Sequence, residues 1–204
     1  MNNRFISFEG LDGCGKSTQA RLLATALRAR GLRVVEAREP GGTPLGDALR
    51  GLLLHAHGGR VAPAAEIHLF AASRAQLVAD VIGPALEEGA WVVCDRFVDS
   101  SLAYQGAARG FGVDAVWQAN LTAVDGCMPG TTFLVELPPQ EAQHRRVGGG
   151  DDRIEAEGLA LQREVQAGYR ELVRRFPERI VMVDGMGDPD DVHRRVLAAL
   201  DARA

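Results

Sequence analysis

The chain of 204 residues contains a single lysine, Lys16, against 22 arginines. Such a balance, in a sequence also rich in alanine, points to Arg standing in for Lys wherever Arg will serve. The lysine that remains marks a place that needs a compact ammonium on a flexible stem and rejects a broad planar fork. Cysteine is scarce and odd in number: Cys14, Cys94 and Cys127 are far apart. This excludes a disulfide framework and a CxxC metal site, and suits the reduced thiols of a cytosolic protein. Aromatic residues are only 5%. No uninterrupted apolar run reaches the ~18 residues that suggest a membrane span. Met1-Asn2-Asn3-Arg4 leads straight into an apolar segment with no signal-peptide pattern, so the expected location is cytoplasmic with no membrane partner. A basic excess is also missing. At a net charge of −4 there is no footprint for a nucleic-acid partner. Apolar residues at 46% and charged residues at 25% exclude general disorder and a collagen-like chain. The length suits one domain over 1–204 with a small insert.

Hydrophobic periodicity predicts strands at Arg4–Phe8, Leu32–Ala37, Trp91–Cys94, Thr131–Leu137 and Arg179–Val183. It predicts helices over Ser17–Arg30, Leu45–His55, Ala64–Glu88, Ser100–Ala107, Val113–Val124, Gln140–Val147, Glu155–Phe176 and Pro189–Ala202. Gly83-Pro84 should bend the third helix, and the triple glycine at 148–150 interrupts the sixth. Strands alternating with helices define an α/β fold: a five-stranded parallel sheet with helices on both faces. Ligands of such sheets bind beyond the carboxyl ends of the strands. The informative loops therefore follow Phe8, Ala37, Cys94 and Leu137.

The first of these loops is Gly10-Leu11-Asp12-Gly13-Cys14-Gly15-Lys16-Ser17, which fits GxxxxGK[ST] between a strand and a helix. Its glycines let successive N–H groups face inward as an anion cradle, and the helix N-terminus adds partial positive charge. Lys16 reaches the β/γ-phosphates of ATP in this reading, and Ser17 ligates Mg²⁺. The third predicted strand ends in Asp95-Arg96; the carboxylate suits Mg²⁺ or its waters opposite Ser17, and Arg96 enters the same cleft. With no second lysine, the Asn-Lys-x-Asp guanine reader of GTPases is impossible. Asp-Arg replaces the Asp-Glu usual in transporter and AAA-type ATPases. A kinase acting on a small phosphorylated acceptor fits better, because arginines suit phosphates.

Five blocks carry a resemblance to a known family. They are Phe8–Thr18; Arg38-Glu39-Pro40-Gly41-Gly42-Thr43; Leu69-Phe70-Ala71-Ala72-Ser73-Arg74; Asp95-Arg96-Phe97-Val98-Asp99-Ser100-Ser101-Leu102-Ala103-Tyr104-Gln105-Gly106; and Asp152-Arg153-Ile154-Glu155. In kind and order the chain resembles the thymidylate kinase family from residue 5 to 155. The resemblance implies a P-loop nucleoside-monophosphate kinase fold with a lid at about 140–155. It implies transfer of phosphate from ATP to dTMP with Mg²⁺, a step in dTTP synthesis. It implies a homodimer through long apolar helices, for which Ala64–Glu88 and Val113–Val124 are suitable.

The resemblance also assigns roles. Gly10, Leu11, Asp12, Gly13, Cys14, Gly15, Lys16, Ser17 and Thr18 bind ATP, and Asp12 also takes the 3′-OH of dTMP. Glu39 and Pro40 line the acceptor site. Phe70 and Arg74, four residues apart on one helix face, stack on thymine and reach its O4; without the resemblance Phe70 reads as core and Arg74 as a solvated charge. Arg50 and Arg96 clamp the acceptor phosphate. Ser100 and Gln105 fix the pyrimidine edge, and Tyr104 fills the space of a ribose 2′-OH. Some relatives carry an arginine inside the P-loop, where this chain has Gly13. The lid must then supply the charge, from Arg145, Arg146 or Arg153, with Arg153 set among the catalytic residues beside Lys16, Asp12 and Arg96. Two other readings share this core: a deoxynucleoside kinase or other monophosphate kinase, and a non-catalytic ATP-binding switch.

Overall fold

A computed structural model of the chain describes residues 2–55, 61–146, 153–154 and 157–203. Strands β1 (Asn2–Glu9), β2 (Val34–Arg38), β3 (Trp91–Asp95), β4 (Pro129–Glu136) and β5 (Ile180–Asp184) form one parallel sheet in the order β2-β3-β1-β4-β5. Phe5–Glu9, Val92–Cys94 and Thr131–Val135 are continuous buried runs, as a sheet covered on both faces requires. β1 is central. Phe8 pairs with Asp95 on one side and with Phe133 on the other, so the loop after β1 emerges beside the ends of β3 and β4. That crevice at the carboxyl edge is where a parallel sheet offers a ligand site.

Among the described residues the helices are α1 (Lys16–Ala29), α2 (Pro44–Leu54), α3 (Pro63–Leu77), α4 (Gly83–Glu87), α5 (Val98–Ser101), α6 (Val113–Val124), α7 (Pro139–Arg145), α8 (Gly158–Arg175) and α9 (Pro189–Asp201). α1 buries Leu23 and Leu27 against the sheet. The Thr43 side chain caps α2 by accepting from the Gly46 N–H at 3.0 Å, and Asp188 caps α9 in the same way.

Two long helices differ from expectation. Pro63–Glu87 is one unbroken helix, as expected, but α3 and α4 within it are joined by a π-helical stretch, Val78–Ile82, just before Gly83-Pro84. Pro84 has no N–H to give the preceding turn, and a wider turn absorbs that defect. Ser100–Ala107 is likewise α5 running into a π-helical stretch at Leu102–Ala108. The extra residue in that turn lets Tyr104 and Gln105 share one wall of a cleft with Ser100 and Ser101. α7 ends at Arg145 and α8 begins only at Gly158. The glycine hinge at 148–150, with Asp151, Asp152 and Glu155, lies outside the described residues.

By length and composition alone, Pro63–Glu87 would be long and apolar enough to cross a membrane, at a mean hydropathy of 1.2. The sequence reading finds no such run because Glu66, Arg74 and Asp80 interrupt it. In the fold this helix packs on α2 and α6, with Ile67, Leu77, Val78 and Ile82 buried and with buried ion pairs at Glu66 and Arg74. One face of it lies in the core, and 39% of its most apolar window is buried.

Candidate active site

β1 delivers the chain directly into the P-loop. Gly10 sits at φ 141°, and a Cβ there would lie 2.6 Å from the Val135 carbonyl oxygen of β4. Gly13 sits at φ 87°; its Cβ would collide with the Ala142 carbonyl of α7 and come within 2.9 Å of Arg146 Cγ. Helix α7 therefore closes directly on the loop, and only glycine fits at 13. Lys16 opens α1. Its buried Nζ donates to Asp12 Oδ1 at 3.1 Å and to the Leu11 carbonyl at 3.3 Å. Ser17 and Asp95 line the same cavity of about 580 Å³, together with Lys16, Glu39, Arg50 and Arg96. Asp95 Oδ1 is buried without a hydrogen-bond partner among the described residues. Burial pushes the Cys14 and Cys94 thiols up, so both are unreactive fillers of the loop and strand.

Asp12 is the hinge between the two halves of the site. Its Oδ1 accepts from both Lys16 Nζ and Arg96 Nη2, the latter at 2.5 Å, while Oδ2 accepts from the Tyr104 hydroxyl at 3.2 Å. Burial alone would raise this carboxyl, but the Arg96 and Lys16 charges override it and hold Asp12 well below the usual carboxylate range. Arg96 lies at φ 68°, a left-handed conformation that a non-glycine residue adopts only when its surroundings enforce it. Here its N–H is fixed to the Phe8 carbonyl at 2.9 Å, and its guanidinium bridges Asp12, Ser100 (2.9 Å) and Tyr169 (3.2 Å) above the Tyr104 ring.

A second cavity, about 120 Å³, opens from this junction. Asp12, Glu39, Arg50, Arg96, Ser100, Tyr104 and Gln105 line it on the polar side, and Pro40, Leu54, Phe70 and Ile154 on the apolar side. Arg50 faces both cavities and donates to the Pro40 carbonyl at 3.0 Å. Arg74 is not on the cavity wall. It is fully buried behind it, donating to Glu39 at 2.5 Å, to Ser101 at 3.2 Å and to Asn120. Its Nε and the Glu39 Oε1 have no partner among the described residues. The Glu39–Pro40 peptide bond is cis.

The three arginines expected of the lid occupy different places. Arg145 lines a third cleft with Thr18, Gly13, Gly185, Gly187 and Pro189, and donates to the Gly185 carbonyl at 3.0 Å. Arg146 packs over Gly13 and shares a small cavity with Asp12. Arg153 lies at the acceptor side, bonded to Glu66 and, through Nε, to the Leu53 carbonyl at 2.9 Å.

Several residues were missed in the sequence. Glu9 accepts from the Phe97 N–H (2.7 Å), the Ser100 hydroxyl (2.5 Å) and the Tyr169 hydroxyl (2.8 Å), and so braces Arg96 from behind. Glu9 stands inside the first resembling block, so the signal was present; Tyr169 on the periodic α8 reads only as core. The β5–α9 loop, Gly185–Pro189, carries no motif. Glu66 looks like an ordinary first-turn acidic residue of a helix.

Burial pushes the Glu9 carboxyl up to about 7, with the nearby Asp99 adding to the rise against the pull of Arg96. A raised folded-state value stabilises the fold fully below about pH 4.5, and the benefit is lost as pH rises to about 7. The Glu9→Gln variant keeps the site neutral at every pH. It should therefore be more stable than the parent at about pH 8, by of order 1–3 kcal/mol, and the gap should close at about pH 5. Urea unfolding at the two pH values checks this; an equal gap at both would contradict it.

A strand–P-loop–helix cradle, a strand-end Asp-Arg and an arginine-lined acceptor cleft on a 2-3-1-4-5 parallel sheet define a phosphotransferase of the P-loop nucleoside-monophosphate kinase type. The sequence model of the family described as thymidylate kinase matches residues 8–196. Curated thymidylate kinases of Caldanaerobacter subterraneus subsp. tengcongensis and Rhizorhabdus wittichii are 44% and 45% identical, covering 98% of this chain in each case and 96% and 98% of those proteins. The crystal structure of thymidylate kinase from Ehrlichia chaffeensis superposes with a TM-score of 0.78 at 32% identity, covering 98% of this chain and 99% of that one. The chain belongs to the thymidylate kinase family.

Proposed function

We propose that this chain transfers the γ-phosphoryl group of ATP to dTMP, supported by Mg²⁺, as a soluble cytoplasmic homodimer. The observation that carries the reading is the shared Asp12 Oδ1, which draws the donor-side Lys16 and the acceptor-side Arg96 onto one atom. An in-line transfer needs two phosphates brought end to end, and these two cations mark the two sides of that meeting point.

On the donor side, the N–H groups of residues 10–18 cradle the ATP phosphates, and Lys16 exchanges its Asp12 contact for the β/γ-oxygens. The donor set at Ser17 and Asp95 suits Mg²⁺: a hydroxyl and an unpartnered buried carboxylate oxygen are hard oxygen ligands in one cavity. When bound there, Mg²⁺ neutralises charge on the phosphate oxygens. Thr18 and Arg145, with the Gly185–Pro189 loop, form the cleft at the outer side of the P-loop and take the rest of ATP. Arg146, over Gly13, stands where a P-loop arginine would project, and supplies the charge for the transferring group. Arg153, bonded to Glu66 and the Leu53 carbonyl, stands on the acceptor side of the cleft.

On the acceptor side, Arg96 and Arg50 hold the dTMP phosphate. Asp12 takes the 3′-OH, and the Tyr104 ring fills the space beside C2′. Phe70 stacks on the base, Ser100 and Gln105 meet its edge, and Arg74 acts from behind Glu39 and Pro40. Homodimer formation rests on the family and on the helices α3 and α6.

Kinetics over a panel of acceptors test this reading. The expected order is dTMP, then dUMP, weaker by the ~10–200-fold that one methyl is worth, then UMP; purine monophosphates and nucleosides should fail. Tyr104→Ala should narrow the dUMP-to-UMP gap and leave the dTMP-to-dUMP gap alone. UMP, dGMP or thymidine used as efficiently as dTMP would contradict the assignment.

A further inference from the structure

We propose that Glu66 is a positioning residue that sets base specificity: it holds the amide group of Gln105 so that the Gln105 carbonyl oxygen faces the acceptor cleft and selects a pyrimidine carrying a ring N3–H. The inference rests on the reading of that cleft as a pyrimidine-monophosphate site.

A glutamine amide has a donor end and an acceptor end, and a half-turn about its last torsion exchanges them. A free Gln105 would serve thymine or uracil, which donate at N3, and equally cytosine, which accepts there. Gln105 is not free. Its Nε2 donates to Glu66 Oε1 at 2.7 Å, and both residues are 1% exposed. A carboxylate only accepts, so it admits the NH₂ end of the amide and repels the carbonyl end.

The carboxylate is itself fixed. Arg109 Nε donates to its Oε1 at 2.8 Å, and Arg153 donates to its Oε2. Arg109 is braced in turn by Glu157 at 2.6 Å, and Arg153 by the Leu53 carbonyl at 2.9 Å. Glu66 also stands four residues before Phe70 on α3, so the residue that faces the base and the residue that orients its edge contact share one helix face. Among the described residues, the bond from Gln105 Nε2 to Glu66 is the contact that decides which end of the amide is turned away from the carboxylate. A cytosine entering the cleft would set its N3 acceptor against the Gln105 acceptor and leave both buried and unpaired.

The test compares kcat/KM for dTMP, dUMP and dCMP. In the parent, dUMP should exceed dCMP by at least about 10³-fold, as in sites built around a hydrogen bond that the wrong substrate cannot make. Glu66→Gln presents a group that both donates and accepts, so Gln105 is released to turn. The dUMP-to-dCMP ratio should then fall by roughly tenfold or more, with the dTMP-to-dUMP ratio within about twofold of the parent. Glu66→Asp, still acceptor-only, should keep the parental discrimination against dCMP. A Glu66→Gln enzyme that loses activity on all three acceptors in proportion, or keeps the parental ratio, would overturn the proposal, since a merely structural Glu66 predicts that.

Should the variants not fold, NMR of the parent decides. The Gln105 side-chain amide protons should stay protected from exchange with and without dUMP. Free exchange, or a new partner on dUMP binding, would overturn it. A parent enzyme that phosphorylates no pyrimidine monophosphate would instead remove the substrate reading beneath the proposal, an outcome distinct from a failure of Glu66.

Discussion

Lys16→Ala is expected to lower turnover by roughly two or more orders of magnitude while dTMP binding survives. Lys16 is the sole lysine of the chain, opens α1 at the end of the cradle, and is 6% exposed. Its Nζ is held by Asp12 and the Leu11 carbonyl, 3.1 and 3.3 Å away, inside the loop proposed to hold the β/γ-phosphates. The charge is needed where negative charge shifts during transfer, so its loss falls on kcat more than on KM for dTMP. Lys16→Arg should also be poor, because a planar fork does not fit a space closed by Asp12 and Leu11. Steady-state kinetics check both variants; near-normal kcat in Lys16→Ala would remove the P-loop assignment.

Arg96→Ala should be the second large loss, about two orders of magnitude or more in kcat/KM for dTMP with KM for ATP nearly unchanged. One guanidinium here satisfies Asp12, Ser100 and Tyr169 together, from a left-handed backbone that aims it at the junction. Removing it deletes the proposed acceptor-phosphate clamp and leaves Asp12 with Lys16 as its cationic partner. Arg96→Lys should recover little, since a single ammonium cannot span three partners in different directions. A KM for dTMP and a kcat both within about threefold of the parent would place the phosphate clamp elsewhere.

The sheet was legible because its strands are continuous apolar runs, and the P-loop because a cradle of N–H groups leaves so few sequences that can make it. Asp12, Lys16, Arg96 and Tyr104 were found as separate motif residues, and the fold brings all four into one hydrogen-bonded cluster. The remaining site contacts depend on distant pairing. Tyr169 meets Glu9 across 160 positions, and nothing near either residue signals it. Glu66 gathers Gln105, Arg109 and Arg153 from two other segments. The π-helical turns at Val78–Ile82 and Leu102–Ala108 were invisible because a pattern of period 3.6 averages over one extra residue. Arg153 fits a lid motif as a catalytic charge, and among the described residues it bonds to Glu66 and the Leu53 carbonyl, contacts that no local pattern signals.

Product identification with purified protein decides whether dTMP is the phosphoryl acceptor. ATP, Mg²⁺ and dTMP are mixed, and the nucleotides are separated over time. dTDP and ADP should appear in equal amounts, and neither should form when dTMP is omitted. ADP released without dTDP, or no turnover of dTMP at all, would contradict this.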